Sequence, residues 1–300
     1  MQRSDFRCVH RLRVRWAEVD MQKIVFNAHY LMYIDNAMSD YWRALALPYE
    51  ASMLALGGEM YVKKATVEYH ASARLNDTLD VGLRCARVGN SSSLFEAGIF
   101  SGDQLLVSGE LVYVFADPAT QTSRPVPPAL RAIFEGFEAG ADMAEVRTGD
   151  WNALGRDAGR LRTAVFVREQ GIAADLEADA LDASARHAVV YNRLGMPVAT
   201  GRLLQQSPGV GRIGRMAVDR SVRGAQWGRQ LLQALVDAAR ARGDREVQLH
   251  AQRSAEGFYR RAGFAVVGEP YEERLASPTL PWRAACNWLP QNNLCFALDV

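Results

Sequence analysis

Asp20 lies in a polar stretch, residues 17–23, between two segments of different period. Before it, residues 8–16, CVHRLRVRW, alternate apolar and basic side chains, as a half-buried strand does. After it, Tyr30, Leu31, Tyr33, Ile34, Ala37, Met38, Tyr41 and Leu45 fall at helical spacing, which predicts a helix to about Ala46. A carboxylate in a short loop that feeds a buried helix has a chemical use. The first backbone N–H groups of a helix lack partners and carry partial positive charge. They can hold a carbonyl oxygen as it becomes an oxyanion, while the carboxylate attacks or activates water. A second such place is VDRSVRGAQWGRQLL. There a predicted strand, Arg212 to Val218, runs into a basic, glycine-containing turn that opens a helix with apolar period from Leu231 to Ala241. Consecutive N–H groups in such a turn suit a diphosphate, and Arg223 and Arg229 add positive charge.

The elements that must position these groups fall into two sets. Met60 to Tyr69, Thr78 to Val88, Ser93 to Phe100 and Leu105 to Phe115 read as strands, divided by the turns Leu75-Asn76-Asp77, Gly89-Asn90-Ser91 and Ser101-Gly102-Asp103. With the first strand and the long helix they give an α+β domain over residues 1–137, in which Leu47-Pro48 and Gly57-Gly58 mark a loop. PPALRAIFEGF starts a short helix with proline in its first turn. Residues 138–145, EAGADMAE, are small and acidic and read as a linker. In residues 146–300, Asp157 to Val167 reads as a helix, and Arg186 to Tyr191, Pro197 to Leu204 and Glu246 to His250 as strands.

The pattern R-x-x-E-x-D, I-V, N-A-x-Y-L-x-Y-x-D-x-A over residues 14–37 resembles the hotdog-fold acyl-CoA thioesterases of the 4-hydroxybenzoyl-CoA thioesterase (YbgC-like) family, and the likeness extends over residues 8 to about 135. The resemblance implies an antiparallel sheet wrapped around the long helix. It makes Asp20 the nucleophile or general base and the Asn27 N–H the group that polarises the thioester carbonyl. It also implies a homo-oligomer, because hotdog sites lie between subunits. Two positions depart from the family: Lys23 replaces the usual glycine, and Asn27 stands where His or Tyr is common, with His29 a turn further on. Asp35, on the helix, is the alternative acid. Lys63 and Lys64 could meet CoA phosphates, and His70 reads as a polar strand residue.

In the second half, LRTAVFVREQGI, LDASARHAVV, GRIGRMAV, RGAQWGRQLL and HAQ-x(5)-FYRRAGF occur in an order that resembles the GNAT acetyltransferases, nearest their ElaA-like branch. The resemblance implies a mixed α/β fold in which the backbone of Met216, Ala217 and Val218 pairs with pantetheine. Arg223, Gly224, Ala225, Gln226, Trp227, Gly228 and Arg229 would cradle the pyrophosphate. Tyr259 would lie near the CoA sulfur and protonate the leaving thiolate, for which a phenol is a fitting acid. Gln226 stands where the family's R-x-x-G-x-G has its middle glycine. Glu169 and Glu177 are candidate general bases.

Residues 275–300 lack the branch's Gly-Ile-Pro-His segment and last strand. Back-translated and read one base earlier, Ala276 to Arg283 permits Gly-Ile-Pro-His-Leu-Ala-Met, so a frameshift near codons 273 to 276 is expected, with loss of an edge strand. Sequencing that DNA tests it, and an early stop in the other frame would end the idea.

Three hundred residues with net charge +1 suggest two globular domains and give no argument for nucleic acid. No run approaches the roughly 18 apolar residues of a membrane span, the N-terminus does not read as a signal peptide, and four cysteines without CxxC spacing suit a cytoplasmic protein. The chain is therefore expected to hydrolyse acyl-CoA with its first domain and move acetyl from acetyl-CoA to an amine with its second. No metal and no tightly bound cofactor are expected. The competing reading is an acyl-CoA or acetyl-CoA sensor, or an oligomerisation module.

Overall fold

The computed structural model describes residues 1–177, 179–251 and 255–265, and the backbone of 282–286. The chain divides into two compact units, Met1–Met143 and Ala144–Val300.

In the first unit, β1 (Cys8–Arg13) leads through a short 3-10 turn (Trp16–Glu18) to α1 (Asn27–Ala44) and α2 (Tyr49–Leu56). Strands β2 (Glu59–Tyr69), β3 (Thr78–Val88), β4 (Ser92–Ser101) and β5 (Gln104–Ala116) follow, then α3 (Pro128–Glu138). The sheet has the order β1-β3-β4-β5-β2, and every pairing is antiparallel. Helix α1 packs on β1, β3 and β4 and buries Tyr33, Ile34, Ala37 and Tyr41 completely, the face its apolar period marks. Gly109 of β5 lets the helix approach closely, since a Cβ there would stand 3.0 Å from Ile34 Cδ1.

Two expectations change. Strand β1 stops at Arg13, because residues 16–18 turn to place Glu18 inward. The expected loop around Leu47-Pro48 and Gly57-Gly58 contains α2. Pro48 precedes its first turn, and Gly57 ends it in the left-handed conformation at φ 73°. The two breakers frame a helix instead of marking one loop.

The second unit holds β6 (Ala144–Gly149), α4 (Trp151–Arg162), α5 (Ala174–Glu177), β7 (Arg186–Asn192), β8 (Pro197–Ser207), β9 (Val210–Val218), α6 (Trp227–Arg242), β10 (Glu246–Ala251), α7 (Glu256–Arg261) and β11 (Trp282–Cys286). Their sheet order is β11-β10-β9-β8-β7-β6, antiparallel except for the parallel β9–β10 pair. The helix expected from Asp157 to Val167 is α4 followed by seven residues of π-helix, Thr163–Glu169. Strand β6 gives almost no hydropathy signal: it is an edge strand that pairs only with β7, with no residue fully buried. The expectation of a missing last strand is not met, since Trp282–Cys286 pairs antiparallel with β10; the rest of 275–300 lies outside the described residues.

Beneath this sheet is a charged cluster. Arg162 donates to Asp182 Oδ1 (2.8 Å), the Glu177 carbonyl (2.9 Å) and the Glu177 carboxylate. Arg202 forks onto Asp179 (2.6 Å to each oxygen) and reaches Asp182 (2.7 Å). Arg215 donates to Asp179 (3.1 Å) and to the Leu176 carbonyl (2.9 Å). Three guanidinium groups meet three carboxylates, which is how buried charge is tolerated. Burial pushes His187 toward the neutral form, and its Nε2–H donates to the Asp182 carbonyl at 2.9 Å.

Candidate active sites

Asp20 sits at the tip of a small hairpin closed by an antiparallel bridge between Val19 and Val25. Its N–H donates to the Ile24 carbonyl (2.9 Å), its carbonyl accepts from Lys23 N–H (2.9 Å), and its Oδ1 accepts from Gln22 N–H (2.8 Å). One carboxylate oxygen is thus fixed, while Oδ2 has no hydrogen-bond partner among the described residues. The far end of the hairpin is the first turn of α1. Asn27 is its first residue, and among the described residues neither the Asn27 nor the Ala28 N–H has a partner. Loop acid and helix tip are held at the two ends of one hairpin, and the free N–H groups carry the positive end of the helix dipole.

Glu18, part of the motif but given no role by sequence reasoning, is what pins this arrangement. Its carbonyl accepts from Phe26 N–H (2.9 Å). Its buried carboxylate accepts from Arg15 N–H (2.7 Å) and from the hydroxyl of Tyr33 on α1 (2.8 Å). Burial first, and then this hydrogen bond, push the Tyr33 phenol well above its ordinary range, so it stays a donor. Beyond the hairpin, Val25 N–H donates to the Ala73 carbonyl and Ala73 N–H to the Tyr30 hydroxyl, each at 2.9 Å. The R-x-x-E spacing, which sets the Glu18 carboxylate three residues after the Arg15 N–H from which it accepts, is the signal that could have found Glu18.

Lys23 adopts φ 63°. The turn therefore keeps the left-handed backbone that a glycine takes freely, and lysine holds it at a cost of about 1–2 kcal/mol. The side chain is exposed, so no packing offsets that cost. Lys23→Gly is expected to stabilise the first domain by about 0.5–1 kcal/mol, the gain being reduced by glycine's freedom in the unfolded chain. A thermal melt checks it, and a lowered melting temperature would contradict the strain.

Asp35 lies on the exposed side of α1, and His29 is half-buried with its ring edge-on to Phe26. His70 contacts the Ser108 hydroxyl at 2.8 Å. Lys63 and Lys64 are exposed on β2.

In the second unit, β9 and β10 pair only as far as Ile213 and Leu249. Strand β9 then runs on to Val218, and among the described residues the edge of Met216, Ala217 and Val218 has no strand partner on that side. The turn that follows contains Gly224 at φ 87°, a conformation only glycine takes without strain. Gln226 precedes α6 at φ −76°, which any residue adopts; its side chain is exposed and caps nothing. Trp227 is buried and anchors the helix start, while Gly228 packs on Val218 and Phe258, 3.5 and 3.6 Å from where its Cβ would be. Arg229 is exposed. Arg223 does not stand free in the turn. It grips both oxygens of Glu169 (2.6 and 2.8 Å), and its Nε donates to the Val218 carbonyl (3.0 Å). That hydrogen-bonded pairing outweighs burial and holds the Glu169 carboxyl below its ordinary range, which makes it a weak base. Glu177, the other candidate base, is buried against Arg162.

Tyr259, on α7, faces β9 across the gap: its hydroxyl donates to Met216 Sδ at 3.6 Å, and Phe258 and Phe264 pack edge-on against its ring. Burial pushes its phenol up to about 12, so it is protonated at neutral pH. Among the described residues no group of three or more His, Cys, Asp or Glu is placed to hold a metal ion, and no helix is long and apolar enough to cross a membrane.

An antiparallel sheet packed on a buried helix, followed by a mixed sheet that parts between β9 and β10, defines a chain of two enzyme domains. The thioesterase superfamily matches residues 22–108, and the acetyltransferase (GNAT) domain matches residues 156–277. The chain thus joins a thioesterase-superfamily domain to a GNAT acetyltransferase domain. It is 37% identical over 114 residues to an uncharacterized N-acetyltransferase, YjcF, of Bacillus subtilis, covering 38% of this chain and 80% of that protein. It is 27% identical over 125 residues to the acyl-CoA thioester hydrolase YbgC of Escherichia coli, covering 41% of this chain and 92% of that one. Among solved structures, a DHNA-CoA thioesterase from Staphylococcus aureus aligns with 44% of this chain and 90% of its own at 19% identity and TM-score 0.40.

Proposed function

We propose that this is a cytoplasmic, bifunctional enzyme of CoA thioesters. Its first domain, residues 1–137, hydrolyses an acyl-CoA. Its second, residues 146–300 with the start of β6 added, transfers acetyl from acetyl-CoA to an amine, and of the expected linker 138–145 only residues 139–143 lie between α3 and β6. The observation that carries the first reading is the hairpin of residues 18–26, with a half-tethered carboxylate at one end and unpartnered helix N–H groups at the other. The thioester carbonyl oxygen accepts from the Asn27 N–H as charge develops on it. Asp20 Oδ2 either attacks the carbonyl carbon, expelling the CoA thiolate and leaving a mixed anhydride that water then hydrolyses, or takes a proton from the water that itself attacks and expels the thiolate.

In the second domain the pantetheine lies along Met216, Ala217 and Val218. The diphosphate is held by the N–H groups of the turn from Arg223 to Arg229, with Arg223 bracing that turn through Glu169 and the Val218 carbonyl. The amine attacks the acetyl carbonyl, and Tyr259 meets the departing sulfur. A phenol near 12 facing a thiol near 8.5 makes complete proton transfer uphill by about 5 kcal/mol. Tyr259 therefore acts chiefly by hydrogen-bonding the thiolate. A hydrogen bond to a charged group contributes about 1.5–3 kcal/mol, so Tyr259→Phe is expected to slow transfer about 10- to 100-fold with little change in acetyl-CoA affinity. Steady-state transfer paired with calorimetry tests this, and loss of binding would assign Tyr259 to packing.

The first domain is proposed to assemble as a homo-oligomer through β2. That terminal strand exposes most of its eleven residues, Tyr61, Val62 and Tyr69 included, and a bare edge of this length invites pairing with a second copy. Light scattering at micromolar concentration is expected to give a multiple of the chain mass; a monomer would oppose the proposal. The unpaired thiols of Cys8 and Cys85 suit a reducing compartment.

A further inference from the structure

Strand β9 carries a bulge at the point where it leaves β10. Thr200 faces Ala217 and Arg202 faces Gly214, so Arg215 and Met216 together oppose the single residue Gly201. Arg215 takes φ 53° to make this fit. Met216 then lies across Gly201: a Cβ on that glycine would stand 3.1 Å from Met216 Cγ and 2.9 Å from Leu235 Cδ1, with Leu231 at 3.6 Å. From there the side chain reaches across the gap to α7, where its sulfur accepts the Tyr259 hydroxyl, which has no other hydrogen-bond partner among the described residues.

On the reading that Tyr259 meets the substrate sulfur, we propose that the Met216 side chain sets the length of acyl group the acetyltransferase domain accepts. Its thioether occupies the position at the Tyr259 hydroxyl that a thioester sulfur must take. A bound substrate therefore displaces it, but the unbranched, three-bond side chain can only fold back beside the acyl group. It cannot retreat toward the sheet, where even a Cβ on Gly201 would stand 3.1 Å from Met216 Cγ and 2.9 Å from Leu235 Cδ1. On this proposal the space left beside the thioether admits acetyl and turns longer chains away. Truncation to alanine removes three heavy atoms and leaves room for about two or three more methylenes, each favouring burial by about fourfold.

The test is calorimetry on the full chain with S-ethyl-, S-butyl- and S-hexyl-CoA, thioethers that neither domain can cleave. A substitution in the second domain leaves binding at the first unchanged, so the difference between variants reports this site. Met216→Ala is expected to raise the S-butyl to S-ethyl affinity ratio about tenfold or more over wild type. Met216→Leu, which keeps the bulk without the sulfur, is expected to retain the wild-type ratio. Identical ratios in wild type and Met216→Ala, or a leucine variant that behaves like alanine, would overturn the proposal. Failure of the Tyr259 reading is seen separately: Tyr259→Phe would then transfer acetyl at the wild-type rate, whatever the chain-length ratios.

Discussion

Replacing Asp20 by asparagine is expected to lower acyl-CoA hydrolysis about a thousandfold, with the fold intact and amine acetylation unchanged. The amide has the same shape, and its oxygen can still accept the Gln22 N–H that fixes the turn (2.8 Å). The bridge between Val19 and Val25 and the bonds from Glu18 to Phe26 and Tyr33 do not involve the Asp20 side chain. What disappears is the anionic oxygen. A neutral amide neither attacks a thioester nor takes a proton from water at neutral pH, and loss of a positioned base typically costs 10² to 10⁴ in rate. The residual rate comes from the helix N–H groups at Asn27, which still stabilise the oxyanion. Thiol release from a panel of short acyl- and aroyl-CoA substrates measures the effect. Release at the wild-type rate would move the chemistry to Asp35, the exposed acid on α1.

Much of this site can be read from the chain because local physics dictates it. The change of period between residues 16 and 30 marks strand, loop and helix, and the apolar face from Tyr30 to Tyr41 is the face buried against the sheet. The two departures at family glycines, Lys23 and Gln226, look alike in sequence and differ in structure. At Lys23 the backbone keeps φ 63°, so the glycine's conformation survives without the glycine. At Gln226 the backbone sits at φ −76°, so no glycine is required there. Only dihedral angles separate a tolerated replacement from a strained one. Neither change disrupts its loop, so neither one favours the competing sensor reading. Long-range pairings are equally hidden. Arg223 reads as free positive charge for phosphates, yet its partner Glu169 is 54 residues away. Strand β6 is invisible because an edge strand has little apolar surface to declare.

The buried cluster of the second domain supplies the largest expected effect on stability. Arg162 is 1% exposed, and Arg162→Met is expected to destabilise that domain by about 3–5 kcal/mol. Methionine would fill much of the volume that Arg162 takes beside the Trp151 ring, 5.5 Å from the guanidinium carbon, so cavity formation is a minor part. The cost is electrostatic: Glu177 loses its hydrogen-bonded cation while still buried, and Asp182 keeps only Arg202. Against a total stability of about 5–15 kcal/mol, such a loss lowers the melting temperature by about 10–15 °C for a domain of this size. The same cluster fixes the acid response. Hydrogen bonds from Arg202, opposed by burial, hold the Asp179 carboxyl at about 2. Burial would raise Asp182, but the bonds from Arg162 and Arg202 outweigh it and keep it below its ordinary range. A carboxyl lowered in the folded state contributes stability that is complete above its unfolded value near 4 and is lost as the pH falls toward the folded one. Wild type should therefore lose this stabilisation between about pH 5 and pH 2. Arg162→Met should begin from a lower plateau and fall less, because Asp182 then has less to lose. Calorimetry of the full chain resolves it, since the first domain's transition serves as an internal reference. A melting temperature within about 2 °C of wild type, less than 1 kcal/mol on this scale, would mean that Arg162 is not a keystone of the cluster.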